Sequence, residues 1–80
     1  MPDWRRYITV DSAVLDGKPV LRGTRLAVDF LLGLFAEGWT AEQVLENYPS
    51  VSRESLQAVF AFASETLADE TTYPYRRKAG

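Results

Sequence analysis

Between Val28 and Glu37 the chain reads Val-Asp-Phe-Leu-Leu-Gly-Leu-Phe-Ala-Glu, and no other feature narrows its fold as much. Val28, Leu31, Leu32 and Phe35 stand at i, i+3, i+4 and i+7, the spacing of one buried helical face. Phe30 and Leu34 fall on another side, so the helix is apolar nearly all round and must be covered twice. Eighty residues make one small domain, which buries only about 60–65% of its unfolded surface. Yet 46% of this chain is hydrophobic and 12% aromatic. That surplus points to a partner, most simply a second copy of the chain, with Phe30, Leu31, Leu34 and Phe62 expected at the dimer interface. The competing arrangement covers the second face with the N-terminal strands of the same chain. Gly33 costs helix stability and permits close approach of another backbone. Gly38 is a good C-terminal stop.

The ten residues Gly17-Lys18-Pro19-Val20-Leu21-Arg22-Gly23-Thr24-Arg25-Leu26 lead into that helix. Asp16-Gly17 favours a turn with positive φ. Pro19 fixes its own φ and pushes Lys18 into an extended conformation. Val20 and Leu21 suffice only for a short strand, and Gly23 is expected to end it where a Cβ would be in the way. Lys18, Arg22 and Arg25 are therefore displayed on a stiff ribbon. Planar guanidinium forks suit phosphate oxygens, which makes Lys18, Arg22, Thr24 and Arg25 candidate DNA contacts. Thr24 is alternatively a cap for the following helix. The competing reading pairs Arg22 and Arg25 with local acids such as Asp16 and Asp29. Upstream, Tyr7-Ile8-Thr9-Val10 is short, β-branched and aromatic, a credible strand. Residues 11–16 form a loop or a single turn, with Val14 and Leu15 dipping inward.

Downstream, Thr40-Ala41-Glu42-Gln43 fits the capping box, and Trp39 with Val44 fits the hydrophobic staple around it. Ala41, Val44, Leu45 and Tyr48 mark the inner face of this second helix. Pro49 breaks it. Ser52 caps a third helix to about Leu67, whose buried stripe is expected to be Leu56, Val59, Phe60, Ala63 and Leu67, with Phe62 outside it. Trp39, Tyr48 and Phe60 read as structural aromatics. The whole is expected to be mainly α: a three-helix, helix-turn-helix bundle preceded by short N-terminal β-strands. It forms one domain over 1–80: strand and ribbon at 7–26, helices at 27–68, and a frayed tail at 70–80. The third helix adds Arg53 as a further candidate DNA contact, but it offers Glu54 and Glu65 as well and so approaches phosphates poorly, since charge neutralisation supplies most of the affinity.

Charge is segregated along the chain. Residues 1–25 carry five cations against three anions, residues 26–75 one cation against eight anions, and Arg76, Arg77 and Lys78 complete the net charge of −2. A polyanion is therefore met by the N-terminal part or the tail. Arg53 is the sole cation of the middle. With no histidine and no cysteine, the commonest general base and most zinc ligand sets are missing, and no disulfide framework exists. Ser52, Ser55 and Ser64 have no histidine to activate them. Glu42 and Glu46, four apart on one helix face, read as solvated surface. Gly17-Lys18 is no P-loop, because position 12 is serine where glycine is needed and Pro19 stands where Ser or Thr is needed. Neither catalysis, a metal nor a cofactor is expected. No apolar run reaches ~18 residues and the N-terminus leads into no apolar signal region, so the chain reads as cytoplasmic with no membrane span.

From Ile8 to about Leu67 the chain resembles the small prokaryotic family known as domain of unknown function 433. The resemblance rests on the string Gly17 to Leu26, the apolar helix after it, Gly38 with the hydroxyl cap Thr40, and the Tyr48-Pro49 turn. It implies a homeodomain-like three-helix fold, often dimeric, and an antitoxin role beside a PIN-like ribonuclease toxin. Nothing of the resemblance reaches the basic end from Tyr73 to Lys78.

Three functions remain open at this point. One is an antitoxin and autorepressor whose N-terminal cations hold operator DNA. Another is a protein-binding module without DNA. The last is a dimeric scaffold in which the ribbon only builds the interface. The charge split favours the first two.

Overall fold

The computed structural model describes residues 3–69. Two strands, β1 (Ile8–Val10) and β2 (Pro19–Leu21), precede three helices, α1 (Val28–Ala36), α2 (Ala41–Asn47) and α3 (Arg53–Ala68). A 3-10 turn at Trp4–Arg6 leads into β1, and a second at Leu15–Gly17 lies between the strands. The strands pair antiparallel, with Ile8 opposite Leu21, Thr9 opposite Val20 and Val10 opposite Pro19. Between them the chain reverses through Leu15, Asp16 and Gly17, all at positive φ. That turn leaves Leu15 exposed rather than inward as expected, because the left-handed run turns its side chain off the sheet, while Val14 is half-buried.

The side-chain period of the hairpin is two, so Ile8 and Leu21 share the face that meets the helices. Val20 is buried on the other face, where Ala27 bridges to it. The helices close over the hairpin around Leu31, Val44 and Val59, none of which exposes any surface. Helix α1 packs against β2 and α3, so the hairpin covers a second side of the apolar helix within one chain. Leu31 and Leu34 consequently belong to this core, and Phe62 packs on its edge.

Helix starts follow the sequence signals. Thr40 accepts from the Gln43 amide while Gln43 accepts from the Thr40 amide, a complete capping box. Ser52 and Ser55 form the same reciprocal pair at α3. Helix α1 differs: its N-cap is Ala27, with no side-chain bond, so Thr24 is not the cap. Helix α3 is rotated from its expected phase. Its inner face carries Ser55, Leu56, Ala58, Val59 and Ala61, with Phe62 half-buried, whereas Phe60 is 45% exposed and Leu67 is exposed too. Small residues occupy the centre of the contact, which lets the α3 backbone approach its neighbours and turns the larger Phe60 outward. Trp4 then docks on the flank of α3, its ring edge-on to Phe62 at 4.7 Å and its Nε1 donating to Glu65.

Candidate functional site

The turn between β2 and α1 is built from backbone upward. The Thr24 amide donates to the Leu21 carbonyl, and Gly23 sits at φ +80, a conformation that L side chains rarely adopt. Thr24 then locks the turn twice, its Oγ1 donating to the Leu21 carbonyl at 2.7 Å and accepting from the Leu26 amide at 3.0 Å. The Arg22 amide donates to the Tyr7 carbonyl, and its guanidinium donates to the Arg5 carbonyl at 2.9 Å. The turn is thus stapled to the N-terminal segment through both main chain and side chain.

Folding sorts the expected cations into two groups. Lys18 is paired with Asp29 at 3.1 Å and Arg53 with Glu42 at 3.5 Å. Arg5 lies over the Trp4 ring and beside Asp3 and Glu65. Among the described residues, Arg6, Arg22 and Arg25 form no ion pair. Asp29 therefore meets Lys18 rather than either arginine of the turn. Lys18 and Arg22 also part company, because Lys18 faces the groove between α1 and α3 while Arg22 faces the opposite end of β2.

Two hollows flank Gly23. One, an open cleft of about 360 Å³, is lined by Arg6, Tyr7, Leu21 and Arg22 on one side and by Ser50, Ser52 and Ser55 on the other. The other, of about 480 Å³, holds Arg25 and Thr24 with Thr9, Asp11, Val14 and Val20. Arg22 and Arg25 therefore serve different concavities on either side of one glycine. Arg6 and Ser50 escaped the sequence reading. Nothing local marks them, since they meet Arg22 only through the pairing of Tyr7 with Arg22 and the packing of the α2–α3 turn.

A third concavity, about 320 Å³, is apolar, running between Pro19, Val28 and Leu32 on one side and Phe62, Ala63 and Leu67 on the other. On the remaining surface, Phe30 is 42% exposed and meets Tyr48 edge-on, and Tyr48 in turn neighbours Trp39. Of the four residues expected at a dimer interface, Phe30 is the one the fold leaves exposed, Leu31 and Leu34 being interior. The outward stripe of α3 reads Arg53, Gln57, Phe60 and Ser64, with Glu54 and Glu65 beside it. Among the described residues there is no cluster of three carboxylates, histidines or cysteines that could hold a metal ion. No helix there is long and apolar enough to cross a membrane.

Comparison with known proteins places the chain in sequence space. The profile of a family described as protein of unknown function, DUF433, matches residues 8–63. The uncharacterized protein y4eO of Sinorhizobium fredii is 34% identical over 59 residues, which are 74% of this chain but only 27% of that protein. Among solved structures, a DUF433 member from Anabaena variabilis superposes with a TM-score of 0.73 at 26% identity, covering 76% of this chain and 60% of that one.

Proposed function

The chain belongs to the DUF433 family of proteins of unknown function, and on that premise we propose that it is an antitoxin-like binding protein. In this reading it works as a cytoplasmic homodimer with a homeodomain-like three-helix arrangement. Its N-terminal arginines hold operator DNA while the helical side occupies a PIN-like ribonuclease toxin. The observation that carries the reading is the pair of hollows beside Gly23, Arg6 and Arg22 in one and Arg25 with Asp11 in the other, none of the three arginines forming an ion pair among the described residues. Elsewhere on the described surface each cation is matched by an acid, so this end attracts polyanions and the helical face does not. Binding rather than catalysis fits a chain without histidine or cysteine.

A second reading is favoured by α3. A recognition helix with one cation, itself engaged by Glu42, and with Glu54 and Glu65 nearby is ill suited to the major groove. An exposed Phe60 instead suits a protein partner. In that reading the chain neutralises its partner without touching DNA.

Two measurements separate the readings. Fluorescence anisotropy against duplex DNA is expected to show binding that weakens steeply with salt. Co-expression with a PIN-like nuclease encoded beside the gene is expected to yield a stable complex and to relieve growth arrest. Salt-dependent binding with no complex would overturn the antitoxin role. A complex with no DNA binding would leave the second reading standing.

A further inference from the structure

The cleft between the N-terminal segment and the α2–α3 turn gathers two arginines and three serines, of which the turn staple and the α3 capping box engage only part of the donors. Arg6 and Arg22 come to it from different segments, and Ser50 and Ser52 face them from the start of α3. None of its lining side chains is acidic. Arg22 is held in place by one of its own donors on the Arg5 carbonyl, which leaves the rest of its fork for another acceptor. Ser52 accepts from the Ser55 amide, so its hydroxyl proton is still available, and no hydrogen bond within the described residues engages the Ser50 hydroxyl. An anion entering the cleft meets two guanidinium groups and no carboxylate.

We propose that this cleft is a phosphate clamp that seats one backbone phosphate of duplex DNA, with Arg6 and Ser50 as contact residues beside Arg22. The proposal rests on the DNA-binding part of the reading above and names the groups that perform it. Guanidinium groups donate and cannot accept, which matches a phosphodiester, an acceptor on every exposed edge. The cleft is open rather than enclosed, so a strand can pass across it while one phosphate settles between the arginines. Arg25 lies across Gly23 in the adjoining hollow, where the same strand continues. Lys18 and Arg53, each held by a carboxylate, stand outside the clamp.

The test uses the full chain and a short duplex of arbitrary sequence, by anisotropy at two salt concentrations and by amide chemical shifts. Arg6→Ala and Arg22→Ala are each expected to weaken binding about tenfold and to lower the log–log salt slope by about one unit. Arg22→Lys should recover part of the affinity, having the charge but not the fork. Lys18→Ala should bind within about twofold of the parent. Ser50→Asp guards against misfolding: it touches an exposed turn residue, and a carboxylate there should repel the duplex while the melting temperature stays at the parent value. In the parent, the duplex should move the amides of Arg22, Gly23 and Ser52. Duplex binding that is undiminished in Arg6→Ala, Arg22→Ala and Ser50→Asp overturns the clamp and leaves DNA binding in place. No duplex binding by the parent at either salt overturns both. If inorganic phosphate alone moves these amides while the duplex does not bind, the ligand is free phosphate and the DNA assignment falls.

Discussion

At the scale of single residues, burial separates side chains that the sequence presents as equivalent. Leu31 and Phe60 both occupy apolar positions in helices, but Leu31 exposes nothing and Phe60 exposes 45%. Leu31→Ala removes buried methyl groups from the contact between hairpin and helices and should cost about 2–5 kcal/mol. Phe60→Ala loses chiefly an edge-to-face contact with Phe35 at 5.1 Å, so about 0.5–1.5 kcal/mol is expected. Thermal or urea unfolding of the two variants side by side checks the order, and a Phe60→Ala loss as large as that of Leu31→Ala would contradict it. Gly23 makes a different kind of contribution. Contrary to the expectation that a Cβ would be in the way, one added there would meet nothing within 4 Å among the described residues, so the role of this glycine lies in the φ of +80. Gly23→Ala should therefore destabilise by about 1–2 kcal/mol through backbone strain alone, measurable as a lowered urea midpoint.

Elements show where local chemistry is sufficient and where it is not. Both capping boxes close as their sequences require, and Thr40→Ala should cost about 1 kcal/mol by opening the one at α2. Gly33 is the reverse case. It lies exposed inside α1 with a propensity cost, and among the described residues nothing beyond its own helix comes within 4 Å of where its Cβ would stand. The backbone approach that a helical glycine permits is not used within this chain. Gly33→Ala should stabilise the isolated chain by about 0.5–1 kcal/mol, seen as a raised melting temperature at low protein concentration. A fall instead would mean that another backbone packs there in solution.

For the whole molecule, the open question is what meets the aromatic surface. Phe30 stands exposed beside Tyr48, which neighbours Trp39, on the side of α1 that the hairpin does not cover. In the proposed homodimer this surface is the contact, and Phe30→Asp should convert the assembly to monomers while the fold persists. Sedimentation equilibrium at micromolar concentration is the measurement. A parent that is already monomeric there removes the dimer from the proposal. None of Phe30, Tyr48 and Trp39 is among the residues that line the arginine cleft. Dimerisation and phosphate binding can therefore coexist on one small domain.

Local signals by themselves determined the elements and their ends. Capping residues at Thr40 and Ser52, breakers at Gly38 and Pro49, and the positive-φ glycine at 17 act over a few neighbours, so their outcome is written in short strings. The cationic turn was legible for the same reason, since Arg22, Gly23, Thr24 and Arg25 adjoin one another. What only the tertiary structure decided is which faces point inward and which cations stay without an acid. Leu56, Ala58 and Val59 lie on the buried face of α3 while Phe60 falls outside it, a phase set by what the helix packs against. Lys18 is drawn off by Asp29 and Arg53 by Glu42, while Arg6 is carried to Arg22 by the backbone bond from the Arg22 amide to the Tyr7 carbonyl at the open end of the hairpin. Charge pairing and helix phase depend on neighbours distant in sequence, and no local pattern encodes a distance that the folded chain alone creates.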